Sequence, residues 1–326
     1  MKNDFWKYDP SADTWTQKAN FGGAARAYAF GLGIGTKGYL GTGYDNINMF
    51  RDCWEYNPSN NTWTQITIFP GIARTYAVGF CIGNIGYVGT GSYTVDFYGY
   101  DPSNGTWSKQ ANLGGIYESG EVGFSIGGKG YIGGSTRDFW EYDTATNGWT
   151  QKASFAGALR DDGVGFSINN KGYIGTGRDL NGHTKDFWEY DQSTDTWTRK
   201  ADFGGTPRWG AVGFSIVNKG YMGTGYNNDN GLTNDLWEYD PSTDSWTEKA
   251  DLGWASRYNG VGFSIGTKGY IGTGYDAHSA KKDFWEYNAG ICTPPPMPAN
   301  TTPPANQNIC IGNSTILSAN GTGTLG

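Results

Sequence analysis

Residues 186–203 read DFWEYDQSTDTWTRKADF, and residues 208–225 read RWGAVGFSIVNKGYMGTG. In the first stretch aromatic and polar residues alternate on either side of a polar Asp-rich turn, the period-2 pattern of two half-buried strands. In the second, AVGFSI and KGYMGTG flank a tight turn, the signal of a β-hairpin. Both units recur. The first returns at 4–21, 52–66, 96–113, 138–155 and 235–252, with a half-copy, DFWEYN, at 283–288, and its starts lie 42–49 residues apart. The second occurs six times. Four antiparallel strands every ~40–50 residues is the signature of a propeller blade. The expected fold is therefore all-β, a six-bladed β-propeller with four antiparallel strands per blade. The ring closes if 257–288 gives three strands of the last blade and the N-terminal TWTQKA (14–19) gives the fourth, which leaves 4–9 as a surplus third strand.

The period, and the Trp opening each fourth strand (Trp15, Trp63, Trp107, Trp149, Trp197, Trp246), resemble the kelch-repeat β-propellers, and the resemblance covers 4–288. Gly-Tyr-Ile-Gly-Thr-Gly in place of that family's double Gly is similar to a group of secreted bacterial members. The chain divides into a propeller (1–288), a Pro-rich linker (289–309) and the start of a truncated immunoglobulin-like module (310–326). Six of the twelve prolines fall in 294–304, a stiff, extended composition. Both ends read as interior to a longer chain. By resemblance such arrangements belong to secreted or cell-surface bacterial proteins, some exported by the type IX route.

Composition narrows the function. With 53 Gly, 14 Trp, 22 Tyr and 16 Phe in 326 residues, wholesale disorder is excluded. A net charge of −7 argues against sequence-independent nucleic-acid binding, which needs Lys and Arg on phosphates. No apolar run approaches the ~20 residues of a spanning helix. Two His and four Cys leave little for imidazole chemistry or a disulfide framework, so no metal and no cofactor is expected. Cys53 and Cys81 read as small buried residues. Cys292 and Cys310 flank the linker and could bridge in an oxidising compartment.

In a propeller the innermost strand comes first, so the loops between second and third strands share a face with the entry to each first strand. Those loops vary (44–51, 92–95, 136–137, 178–185, 226–234, 275–282) while the turns on the other face barely change, and variable loops on a constant scaffold are where binding sits. On that face each first strand is preceded by Arg26, Arg74, Glu118, Arg160, Arg208 or Arg257. Two readings stand. The arginines converge on the channel as an anion site, since guanidinium forks bind carboxylates, sulfates or phosphates bidentately. Alternatively they brace the Asp that opens every third strand, the reading their invariance favours. Blade three departs with Glu118 and Glu121, where Arg137 could restore the brace; blade four adds Asp161 and Asp162. Trp209, Trp254 and Tyr258 break the repeat near Tyr226 and Tyr275, and either stack on a sugar or fill space between blades.

The expected function is a non-catalytic binding propeller, a monomer within a larger chain, recognising a glycan or an acidic protein or peptide partner. Its expected ligand set is Arg160, Arg208, Trp209, Trp254, Arg257 and Tyr258, with Arg26, Arg74 and Glu118 behind it. Resemblance also raises carbohydrate-active alternatives. A mutarotase-like acid/base site at the channel mouth stays open. A copper radical oxidase is unsupported, because His183 and His278 lie in separate loops. A pure scaffold is the third reading.

Overall fold

The computed structural model describes residues 13–115, 120–228, 231–253 and 255–290. Six four-stranded antiparallel sheets form the blades of a β-propeller. Blades one to five run in chain order: 30–66, 78–110, 122–151, 164–200 and 212–249. Blade six combines strands 261–265, 268–272 and 284–288 with the N-terminal strand 14–17. That strand pairs antiparallel with the third, Trp15 opposite Tyr287 and Gln17 opposite Trp285, so the closure read from the sequence is the one the molecule has. The surplus copy at 4–9, the linker, the immunoglobulin-like segment, Cys292 and Cys310 lie outside the described residues.

Each repeated residue has a place. The fourth-strand Trp is an inter-blade rivet: the indole N–H of Trp15, Trp63, Trp107, Trp149, Trp197 and Trp246 donates to a carbonyl of the preceding blade, at 2.8–3.2 Å in all six. Two residues earlier, Asp13, Asn61, Asn147, Asp195 and Asp244 accept from the preceding blade's backbone N–H and from the third-strand Tyr hydroxyl of their own blade. The Gly of each VGF lets neighbouring first strands approach around the axis. A Cβ on Gly123 would sit 2.2 Å from Val78, and one on Gly262 2.1 Å from Val212. Cys53 is buried among the inter-blade aromatics, which pushes its thiol up to about 12.

On the variable face two loops are more ordered than the sequence suggested. In blade five the second and third strands extend as 219–227 and 231–240, bulged between Gly223 and Gly225, so the pairing runs on through Tyr226 opposite Leu232 and Asn227 opposite Gly231. Blade four carries a two-residue ladder, Arg178 opposite His183 and Asp179 opposite Gly182.

Candidate functional site

The five arginines sit one layer beneath the face. Arg26, Arg74, Arg160, Arg208 and Arg257 are at most 2% exposed. Each donates from Nε to the carbonyl two residues back and from Nη1 to the carbonyl of Thr42, Thr90, Thr176, Thr224 or Thr273. The rest of the fork reaches the Asp opening the third strand of the same blade: Asp52, Asp96, Asp186, Asp235 or Asp283. Phe21, Phe69, Phe155 and Phe203 lie against four of the guanidiniums at 4.8–5.1 Å. With donors and faces engaged, these side chains are placed as braces and do not open into the channel as an anion ring.

Burial alone would raise the carboxyls of Asp52, Asp96, Asp186 and Asp283. The hydrogen bonds and charge of the arginines outweigh it and hold all four below the usual carboxylate range. In blade three Asp138 accepts from Gln151 at 3.0 Å, and among the described residues no ion pair joins it to Arg137. The brace is not restored there. Glu118 and Trp254 lie outside the described residues.

The residue two after each of these positions does reach the axis: Tyr28, Tyr76, Gly120, Asp162, Gly210 and Asn259, one per blade. All six have φ between +49° and +88°. Five of them are laced together by backbone hydrogen bonds. Gly210 donates to Asp162, Asn259 to Gly210, Tyr28 to Asn259 and Tyr76 to Tyr28, over 2.7–3.1 Å. Non-glycine residues held in the left-handed region cost of order 1–3 kcal/mol each and gather at functional sites. With Glu121 they line a cavity of about 160 Å³ at the mouth of the channel. Gly120 and Gly210 keep it open, since a Cβ at Gly210 would lie 2.6 Å from the Asn259 amide oxygen.

Aromatic rings continue outward from the mouth as a crescent. Trp209 packs against Tyr258 at 5.1 Å between centroids, Tyr258 against Tyr275 at 5.7 Å, Tyr275 against Tyr28 at 5.8 Å, and Tyr28 against Tyr76 at 4.6 Å. Tyr226 and His183 join at the Trp209 end, where the Arg178 guanidinium lies 5.2 Å from the indole. The backbone sets this order: Trp209 bridges to Tyr226, Tyr258 to Tyr275 and Asp161 to Arg178, joining each first-strand entry to its own loop.

The crescent ends on Asp162, which is 7% exposed. Burial pushes its carboxyl up to about 6; Arg178 pulls against that, the neighbouring Asp161 adds to it, and a hydrogen bond with Tyr76 opposes it. Tyr76 in turn packs against Tyr28, and Tyr28 meets Tyr258 through Tyr275. Two blades on, Asn259 is 9% exposed and its amide nitrogen has no hydrogen-bond partner.

Of the residues expected from sequence, Trp209 and Tyr258 come together at this mouth, joined by Tyr226 and Tyr275. Tyr28, Tyr76 and Asn259 were not anticipated. Their signal was a position, two after each first-strand Arg or Glu118, that differs between blades in a repeat whose strands barely change. Among the described residues no three His, Cys, Asp or Glu side chains converge as a metal-binding set.

No protein-family model matches the chain, and no curated protein matches it. Among solved structures it is similar to the one titled "Structure of YjhT", with a TM-score of 0.68 at 16% identity, over 82% of this chain and 96% of that one. At that identity the likeness shows the fold: this chain is a six-bladed β-propeller.

Proposed function

We propose that this propeller, of kelch type, is a binding module of a secreted or cell-surface protein that recognises a glycan on its variable-loop face. The observation that carries the proposal is the unbroken series Trp209, Tyr258, Tyr275, Tyr28, Tyr76 around the channel mouth, ending on Asp162. The flat, part-exposed rings of Trp209, Tyr258, Tyr28 and Tyr76, linked through the buried Tyr275 and set beside a few fixed polar groups, suit a sugar, whose C–H faces stack while its hydroxyls hydrogen-bond. Arg26, Arg74, Arg160, Arg208 and Arg257 hold the face in place in this reading, and Arg178 is the guanidinium at the rim. A glycan array probed with the full chain, spanning neutral, basic and acidic sugars at two salt concentrations, tests it. Selective hits lost in Trp209→Ala support the reading. A blank array, or hits indifferent to Trp209, sinks it in favour of a protein partner or a scaffold.

The acid/base alternative has one observation in its favour, the Asp162 carboxyl held near 6 beside Tyr76. That value suits proton transfer near neutral pH. It predicts turnover of a bound sugar, abolished by Asp162→Asn with binding retained.

A further inference from the structure

We infer that the channel mouth is a subsite for a protonated amine, so that the glycan recognised carries a free amino sugar in preference to an N-acetylated or acidic one. This rests on the glycan reading and specifies its ligand.

The first support is the charge left at the face once the braces are counted. Five arginines are each matched to an Asp within their own blade and present no charge to the mouth. Among the described residues Asp162 lines the mouth with Asp161 beside it, and the Arg178 guanidinium lies 3.9 Å from Asp161, leaving Asp162 as the carboxylate of the lining without an ion pair. His183 sits farther out against Trp209 and Tyr226. The local balance is therefore negative, and an anionic sugar would meet it unfavourably.

Aromatic rings are the second support. Tyr28 and Tyr76 line the cavity itself, with Tyr258 and Trp209 one step out. Aromatic faces attract cations through their quadrupoles, and the attraction grows when the site is desolvated. A carboxylate set among them supplies the counter-charge that a buried ammonium needs.

The third support is the amide of Asn259, nine-tenths buried in the same cavity, with its nitrogen unpartnered. A donor there calls for an acceptor on the ligand, beside the group that pairs with Asp162. A vicinal amino alcohol offers both: its ammonium to the carboxylate and its neighbouring hydroxyl oxygen to the amide. The cavity of about 160 Å³ is smaller than the ~300–1,000 Å³ of sites that enclose a whole drug-sized ligand. It holds one substituted edge of the sugar, while the ring lies on the crescent.

The experiment is calorimetric titration of the full chain with chitotriose in its fully deacetylated and fully acetylated forms and with a triuronic acid, in moderate salt. The deacetylated trimer should bind roughly tenfold or more tightly than the acetylated one, and Asp162→Asn should erase that difference. Asn suits the left-handed backbone at this position, so the variant should fold, and its circular dichroism and melting temperature verify that. Equal or tighter binding of the acetylated trimer, preference for the uronic acid, or a preference that survives Asp162→Asn overturns the inference. If array hits on neutral sugars still depend on Trp209 in that case, the glycan reading stands without it; if nothing binds, both fall.

Discussion

Tyr28 and Tyr76 occupy the same place in the repeat on neighbouring blades, each at φ 58°, and their rings lie 4.6 Å apart at the channel mouth. Tyrosine is an unusual choice for a left-handed residue, because its Cβ crowds the following carbonyl. The backbone belt through Asn259, Tyr28 and Tyr76 holds the conformation. In exchange, two phenols are turned onto the axis of the ring.

The brace predicts a large stability effect with no direct effect on ligand contacts. Asp186→Asn leaves the Arg160 guanidinium buried without its counter-charge, and removing one partner of a buried pair costs roughly 3–5 kcal/mol. Chemical denaturation should show that loss, and Arg160→Met with Asp186→Leu should recover much of it. Because Asp52, Asp96, Asp186 and Asp283 are depressed when folded, the stability they give is present above the usual carboxylate value of ~3.9 and is lost as pH falls through their lower folded values. Thermal melts from pH 6 to pH 2 should follow that course.

Asp162 has the opposite sign. Its folded carboxyl is raised, so its contribution is best below the unfolded value of ~3.9 and is lost as pH rises through about 6. Asp162→Asn should therefore stabilise the protein at pH 7–8, by on the order of 2 kcal/mol, with the gain vanishing toward pH 4. Denaturation midpoints of both proteins at pH 4 and pH 7.5 check it. A gain independent of pH would show that the carboxyl is not held up by burial.

Trp209 packs against Tyr258 and Tyr226 on the face and remains partly exposed. Trp209→Ala should weaken glycan binding about tenfold while shifting the melting temperature by only a few degrees. A loss as large as that from a core tryptophan, ~3–5 kcal/mol, would assign it to blade packing instead.

Trp15 ties the closing strand to its neighbours, with its indole N–H 2.8 Å from the Ala250 carbonyl and its ring 5.1 Å from Tyr287. Trp15→Ala should cost roughly 3 kcal/mol and raise amide exchange first in 14–17 and 284–288. Exchange that rises equally in every blade would mean the ring opens as one unit.

The fold was legible because the repeat supplied the strands, the turns and the closing strand at once, and the Asp opening the third strand supplied the brace in five blades. The mouth was legible only in part. Trp209 and Tyr258 stood out because they broke a pattern, and Asp162 because it followed another Asp. Tyr28, Tyr76 and Asn259 were hidden: whether a residue two positions after an Arg faces the axis depends on the sign of its φ, which side-chain type does not announce for tyrosine. The extension of blade five past Gly223 was hidden too, since Asn- and Gly-rich text reads as loop until a partner strand pairs with it.

The belt around the axis has a consequence for how such a ring can change. Each blade contributes one left-handed residue to the floor of the mouth, here Tyr, Tyr, Gly, Asp, Gly and Asn. The belt from Asp162 through Gly210, Asn259 and Tyr28 to Tyr76 is held by main-chain atoms, so a letter can change where the new side chain tolerates the left-handed backbone and fits beside its neighbours. The repeat thus works as a six-character dial, whose setting in any sister sequence could be read two residues after each first-strand arginine, or after the Glu that stands in its place in blade three, before a structure exists.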